Sequence, residues 1–325
     1  MAAKARKSGN GRPVLLSIVV PMYNEQGGVG LFFDRLEPVL QRITDNYEII
    51  CIDDGSTDQT YDELIEQRQR DARIKVINLS RNFGKDIALS AGLDHAFGRA
   101  VVPIDADLQD PPELIEQMME KWREGYEVVY ARRADRASDT RAKRMTANWF
   151  YRIYNRIAEI GIPENAGDFR LLDQRVIAAL RNLPERNRFM KGLFAWVGFK
   201  QASVDYVREE RAFGETKWKY WKLWNFALDG ITGSSTFPLR VWTYFGLTVF
   251  IFAVFYAMFL TVRVMIHGVD VPGYASTMVA VLFLGSINIL ATGIIGEYLG
   301  RILTEVRSRP LYLVRETHGI EHRIY

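Results

Sequence analysis

Residues Ala100–Pro112 read A-V-V-P-I-D-A-D-L-Q-D-P-P. The apolar run Val101–Ile104 predicts a buried strand. It stops at Asp105, Asp107 and Asp110, with Gln109 among them and two prolines closing the segment. Carboxylates at the carboxyl end of a parallel strand lie where open α/β sheets bind ligands. Asp105 and Asp107, one residue apart, can offer oxygens to a hard divalent cation such as Mg²⁺ or Mn²⁺, which in turn holds phosphates. The competing reading is a solvated turn ahead of a helix beginning near Pro112. The rest of the chain decides between them.

Working outward, the same grammar repeats. Val14–Val20 is a β-branched run ending at Pro21, followed by Tyr23, Asn24 and Glu25 and then a helical pattern through Leu31, Leu36, Val39, Leu40 and Ile43. Glu48–Ile52 predicts a second strand, broken by D-D-G-S-T-D at 53–58, where Ser56 or Thr57 can cap the next helix. Lys75–Leu79 is a third strand, followed by S-R-N-F-G-K at 80–85 and another helix. Val101–Ile104 and Glu127–Tyr130 are the fourth and fifth, the last ending at Arg132 and Arg133. Strands separated by single helices describe a doubly wound sheet. Polar clusters at successive strand ends therefore converge on one crevice, with acids at 53, 54, 105 and 107 and cations at 81, 85, 132 and 133. Gly27, Gly28 and Gly30 lack the dinucleotide spacing, and no G-K-[ST] occurs, which disfavours the usual NAD enzymes and ATPases. Acids alongside arginines suit a nucleoside diphosphate held through a metal.

Composition narrows the choice. A net charge of +3 gives no bulk argument for nucleic acid, and the single cysteine, Cys51, excludes an internal disulfide framework and a multi-cysteine metal site. Residues 1–13 are basic and polar without an adjoining hydrophobic core and read as a flexible arm. Further on, G-D-F-R-L at 167–171 sets Asp168 and Arg170 around an aromatic; a salt-bridged turn is the plain alternative for Asp168.

The last third changes character. Lysines and tryptophans interleave at Lys217, Trp218, Lys219, Trp221, Lys222 and Trp224, a pattern that fits an amphipathic segment at headgroup level. Val241–Val262 and Tyr274–Gly296 are both uncharged and close to the ~20 residues needed to cross a hydrocarbon core. The short connection predicts a hairpin. Lys and Arg crowd its outer flanks against Arg263 alone between the spans, so positive-inside counting places the α/β domain and both termini in the cytoplasm, on the inner membrane. The expected organisation is a flexible arm (1–13), the α/β domain (14–210), an amphipathic juxtamembrane segment (211–237), two membrane helices (238–300) and a cytoplasmic tail (301–325).

P-M-Y-N-E at 21–25, D-D-G-S-T-D at 53–58, R-N-F-G-K at 81–85, D-A-D-L-Q-D-P-P at 105–112, G-D-F-R-L at 167–171 and E-R-x-F-G-E-T-K-W at 210–218 occur in this order. Together they resemble the dolichyl-phosphate-mannose-synthase-like glycosyltransferases. The closing spans and G-E-Y-L-G-R at 296–301 resemble their bacterial polyprenyl-phosphate branch, which includes bactoprenol glucosyltransferases. The resemblance implies a GT-A fold, a Rossmann-like mixed sheet, with amphipathic interface helices and a two-helix transmembrane hairpin. It implies inverting transfer of a hexose from a nucleotide sugar, UDP-glucose first and other UDP-sugars or GDP-mannose as alternatives, to polyprenyl (undecaprenyl) phosphate. Carried over, Pro21, Tyr23, Glu25 and Asp53 would surround base and ribose, with Asp54 and Lys85 close by. Asp105, Asp107 and Gln109 would hold Mg²⁺ or Mn²⁺. Asp168 and Arg170 would face sugar and acceptor, and Arg132 and Lys217 the phosphates. The implied partners are the donor, the lipid acceptor and the membrane, with homo-oligomerisation left open. A processive polysaccharide synthase is the enzymatic rival, but it would carry a Q-x-x-R-W-type motif and more spans. A non-catalytic nucleotide-sugar-binding membrane protein is the other.

Overall fold

The computed structural model describes residues 14–134, 155–156, 160–163, 166–186, 188–207, 237–267 and 273–320. Within these the chain alternates strand and helix: β1 (Leu16–Met22), α1 (Val29–Ile43), β2 (Tyr47–Asp53), α2 (Thr60–Arg70), β3 (Ile74–Leu79), α3 (Lys85–His95), β4 (Ala100–Pro103), α4 (Leu114–Arg123) and β5 (Val128–Arg133). Then come β6 (Ala166–Asp173), α5 (Gln174–Arg181), α6 (Met190–Trp196), β7 (Gln201–Tyr206), the long helices α7 (Phe237–His267) and α8 (Tyr274–Val306), and β8 (Val314–His318).

The strands form an eight-stranded sheet in the order β7-β5-β6-β4-β1-β2-β3-β8. Strands β1 to β4 are parallel, as the alternation of strand and helix predicts. Period-2 alternation divides their side chains between two cores. Leu16, Ile18, Val20 and Met22 face α1 and α4, while Val19, Ile50, Ile52 and Ile77 face α3, α5 and α6. At Gly92 of α3 an added Cβ would lie 2.3 Å from Val19 Cγ1, so only glycine lets this helix lie so close to the sheet.

Several expectations are corrected. The first strand does not end at Pro21 but runs through it to Met22. Val19 accepts from Ile104 on the β4 side and Met22 accepts from Asp54 on the β2 side. Pro21 therefore turns its missing N–H toward β4, whose pairing has already ended at Val19↔Pro103. Ser56 and Thr57 do not cap α2, which starts at Thr60; Asp58 accepts from Thr60 N at 3.0 Å instead. The sheet is mixed, as the resemblance implies, because β6 runs antiparallel between β4 and β5.

The α/β domain also does not end at 210. Strand β8, within the expected tail, pairs antiparallel with β3. Tyr312 Oη donates to Asp94 at 3.0 Å and Tyr61 Oη to Glu316 at 3.0 Å, fixing its approach. Both long helices carry exposed apolar side chains, among them Phe252, Met265 and Ile289. Among the described residues one stretch, Phe283–Val306, is long and apolar enough by itself to cross a membrane. Strand β7, parallel to β5, ends at the edge where β1, β2 and β4 end, and β8 begins there beside Leu79. The chain thus leaves the sheet for its two long helices and re-enters it at the same edge.

Candidate active site

That edge carries the predicted motifs, and much of their chemistry is spent on one another. The loop after β1 is laced to the loop after β2. Asn24 N donates to Ser56 Oγ (3.0 Å), Glu25 N to Thr60 Oγ1 (2.8 Å), Gly27 N to Glu63 Oε1 (2.9 Å), and Thr57 N to Asn24 Oδ1 (2.8 Å). Asn24 takes a positive φ of 51°, which asparagine tolerates well. Pro21, Tyr23 and Glu25 are half-buried along this double loop.

Asp53 and Asp54 are both buried, and burial raises both carboxyls. Asp53 accepts from Ser56 N at 3.1 Å and so holds the turn. Asp54 accepts from Phe83 N at 2.7 Å and Gly84 N at 2.9 Å, binding the third strand-end loop to the second. Asp54 is thereby a brace for the R-N-F-G-K segment.

The brace sets the start of α3, where Lys85 Nζ lies 2.8 Å from Asp105 and 3.0 Å from Asp168. Asp168 reaches this point because β6 is reversed, so its beginning lies at the edge where β4 ends. Withdrawal from solvent alone would raise the Asp168 carboxyl; Lys85, Lys191 and Arg170 outweigh it and hold the group well below the usual carboxylate range. Burial likewise opposes the Lys85 charge, and Asp105 and Asp168 override it, so its ammonium is held above the usual range. Asp86, beside them, is pushed up to about 7 by burial and by Asp168.

Asp105 and Asp107 follow β4 half-buried, and Gln109 N donates to Asp107 Oδ1 at 3.2 Å across Leu108, whose φ is 56°. No cluster of three or more acidic, histidine or cysteine ligands occurs among the described residues. Asp105 and Asp107, with Gln109 beside them, would be the residues to hold a metal here. This fits Mg²⁺ or Mn²⁺ that completes its shell with diphosphate oxygens and water. The Lys85 contact shows that Asp105 already supports a cation.

Two predicted residues are differently engaged. Arg132, expected at the phosphates, makes a two-point pair with Asp205 of β7 (2.6 and 2.9 Å). Arg170, expected to face sugar and acceptor, is buried. Its guanidinium lies 4.1 Å above the Phe194 ring and donates to the Gly167 carbonyl, so it supports the Asp168 loop from behind. Lys217 and the 211–236 segment lie outside the described residues. Asp86 and Lys191 belong to the site and escaped the sequence reading; Asp86 directly follows the R-N-F-G-K motif, and a lone lysine in an apolar helix gives no signal.

Comparison with known proteins identifies the family. The family model for glycosyl transferase family 2 matches residues 17–181, and that for the GtrB C-terminal hairpin matches 237–302. An uncharacterized glycosyltransferase of Synechocystis is 57% identical over 94% of this chain and 96% of its own. The bactoprenol glucosyl transferase of Shigella phage SfII is 46% identical over 93% of this chain and 98% of its own. Among solved structures, glucosyl-3-phosphoglycerate synthase from Mycobacterium tuberculosis is 22% identical with a TM-score of 0.48, covering 67% of this chain and 76% of that one. The chain belongs to glycosyl transferase family 2, a glycosyltransferase whose catalytic sheet is followed by a GtrB C-terminal hairpin.

Proposed function

We propose that the protein transfers a hexose, glucose from UDP-glucose in the first instance, to the phosphate of a polyprenyl lipid such as undecaprenyl phosphate, at the cytoplasmic membrane face. The observation that carries this reading is topological. The two long apolar helices leave and rejoin the sheet at the edge bearing Asp53, Asp105 and Asp168. An acceptor held by those helices arrives on the side where a donor would lie. Return of the chain to the sheet through β8 supports two spans with both flanks on the catalytic side. The names of the phage relatives favour bactoprenol as acceptor and glucose as sugar.

In this reading Tyr23, Glu25 and Asp53 line the nucleoside end, and Asp105, Asp107 and Gln109 hold Mg²⁺ or Mn²⁺. When bound there, the cation would supply positive charge against the leaving diphosphate. An acceptor phosphate oxygen bonds to the anomeric carbon from the face opposite the bond that breaks to the diphosphate, and configuration inverts. The acceptor is already an anion near neutral pH, so the step needs alignment and charge compensation. A carboxylate held below its usual range is a poor base, which supports a positioning role for Asp168. Membranes containing the protein, incubated with undecaprenyl phosphate and a panel of radiolabelled nucleotide sugars, are expected to move label into the organic phase with UDP-glucose and divalent metal. Label confined to water with every donor would refute the reading.

A further inference from the structure

The site is strung along consecutive strands. Asp53 closes β2, Asp105 follows β4 and Asp168 opens β6, and these lie in sheet order with β1 between the first two. With nucleoside at β2 and diphosphate at β4, the β6 end is left for the acceptor. A phosphomonoester brings nearly two negative charges near neutral pH, and it meets Asp105, Asp107 and Asp168 there. It needs a cation that those carboxylates have not already taken. Lys85 is gripped by Asp105 at 2.8 Å and Asp168 at 3.0 Å. Lys191 is different. It is half-buried on α6, exerts its charge on Asp168 and Asp86, and makes no ion pair among the described residues.

Helix α6 is held firmly. Phe194 lies beneath the Arg170 guanidinium at 4.1 Å, and Met190 Sδ accepts from Ser90 of α3 at 3.7 Å. The segment leading into it is tied to the long C-terminal helix, since Arg186 N donates to Glu305 in the last turn of α8 at 2.9 Å. The neighbours of Lys191 along α6 thus contact α3 at Ser90, one turn from Asp86, and the Arg170 that backs the Asp168 loop.

We infer that Lys191 is the cation that receives the phosphate of the membrane-borne acceptor, a long-chain prenyl phosphomonoester, and that Lys85 instead organises the carboxylates. This rests on the reaction proposed above. A charge-assisted phosphate contact of this kind is worth about tenfold or more in affinity.

The test uses full-length protein in detergent micelles, with farnesyl phosphate as probe and farnesol as its uncharged control. Lys191→Ala is expected to weaken farnesyl phosphate binding at least about tenfold while leaving farnesol and UDP binding unchanged. It is expected to raise the acceptor KM more than it lowers kcat, and Lys191→Arg to restore most of both. Lys121→Ala, which removes an exposed charge paired with Glu124 on α4, is expected to change neither. Wild-type affinity for farnesyl phosphate in Lys191→Ala, or a parallel loss of UDP and farnesyl phosphate, would overturn the assignment. Binding is read without turnover, so a wild type that binds the probe and transfers no sugar would sink the proposed reaction, while the assignment still stands or falls on affinity.

Discussion

Gly55→Ala asks whether the site is built from interlocked loops. Gly55 takes a φ of +67°, and a Cβ there would lie 2.4 Å from the Arg81 carbonyl carbon and 2.7 Å from Asn82 N. Those neighbours are backbone and cannot swing aside, so the two strand-end loops must part. A left-handed conformation costs a non-glycine residue about 1–2 kcal/mol, and forcing packed segments apart costs about 1–3 kcal/mol more. Gly27 supplies the control, with a φ of +77° and nothing within 4 Å of its added Cβ, so alanine there meets only the first cost. At about 2–4 °C per kcal/mol for a domain of this size, Gly55→Ala is expected to lower Tm by roughly 4–20 °C and Gly27→Ala by roughly 2–8 °C. The displaced segment carries the Phe83 and Gly84 amides that bind Asp54, and it leads directly into Lys85. Nucleotide affinity should therefore fall in Gly55→Ala. Thermal unfolding of the purified full-length protein, followed by intrinsic fluorescence with and without UDP, reads both effects. Equal Tm and equal UDP affinity in the two variants would refute the interlocked-loop account.

Asp107→Asn is expected to lower turnover at least about a hundredfold while the protein still requires detergent for extraction; recovery at saturating metal would count against the ligand role. Asp168 is held below the usual carboxylate range, so its contribution to stability is complete above the unfolded value near 4 and is lost only as pH falls through its depressed value. Asp168→Asn is accordingly expected to lower the rate without changing the shape of the pH–rate profile between about pH 6 and 9. An acid limb that persists in Asp86→Asn and disappears in Asp168→Asn would restore the general-base role. Truncation after Leu311 removes β8 and uncovers the β3 edge, and is expected to lower Tm and promote aggregation in detergent. A truncated protein as stable and monodisperse as the full chain would show the strand to be dispensable.

The residues that announce themselves in the sequence are those whose local chemistry changes abruptly. The β-branched runs before Asp53, Asn78 and Asp105 end in polar loops, and each is a strand whose end lies at the site. Pairing direction has no such local mark. Nothing in A-G-D-F-R-L-L-D says that β6 runs against its neighbours, and V-R-E-T-H, with its largely polar composition, resembles an ordinary tail until β3 provides an edge for it. The charges of Arg132 and Arg170 were legible as charges, but their partners are distant in sequence. Asp205 comes beside Arg132 through the β5–β7 register, and Phe194 comes under Arg170 through the packing of α6. Lys191 has no motif around it; its importance comes from what Lys85 is already doing.

The reversal of β6 has a further consequence. Ala166–Asp173 spans eight residues, about 25 Å of extended strand at ~3.3 Å per residue. Running parallel, it would leave Asp168 at the far edge of the sheet and Asp173 at the near one. Asp173 instead accepts from Trp122 Nε1 at 2.8 Å and caps α5 at that far edge, while Asp168 meets Lys85. One strand thus supplies a structural carboxylate at one end and a site carboxylate at the other. The hairpin obeys a similar geometric logic. Strands β7 and β8 are the two outermost strands of the sheet, separated by seven strand intervals of about 4.8 Å, or roughly 34 Å. Strand β7 ends and β8 begins on the edge that carries the carboxylates, one at each side of the sheet.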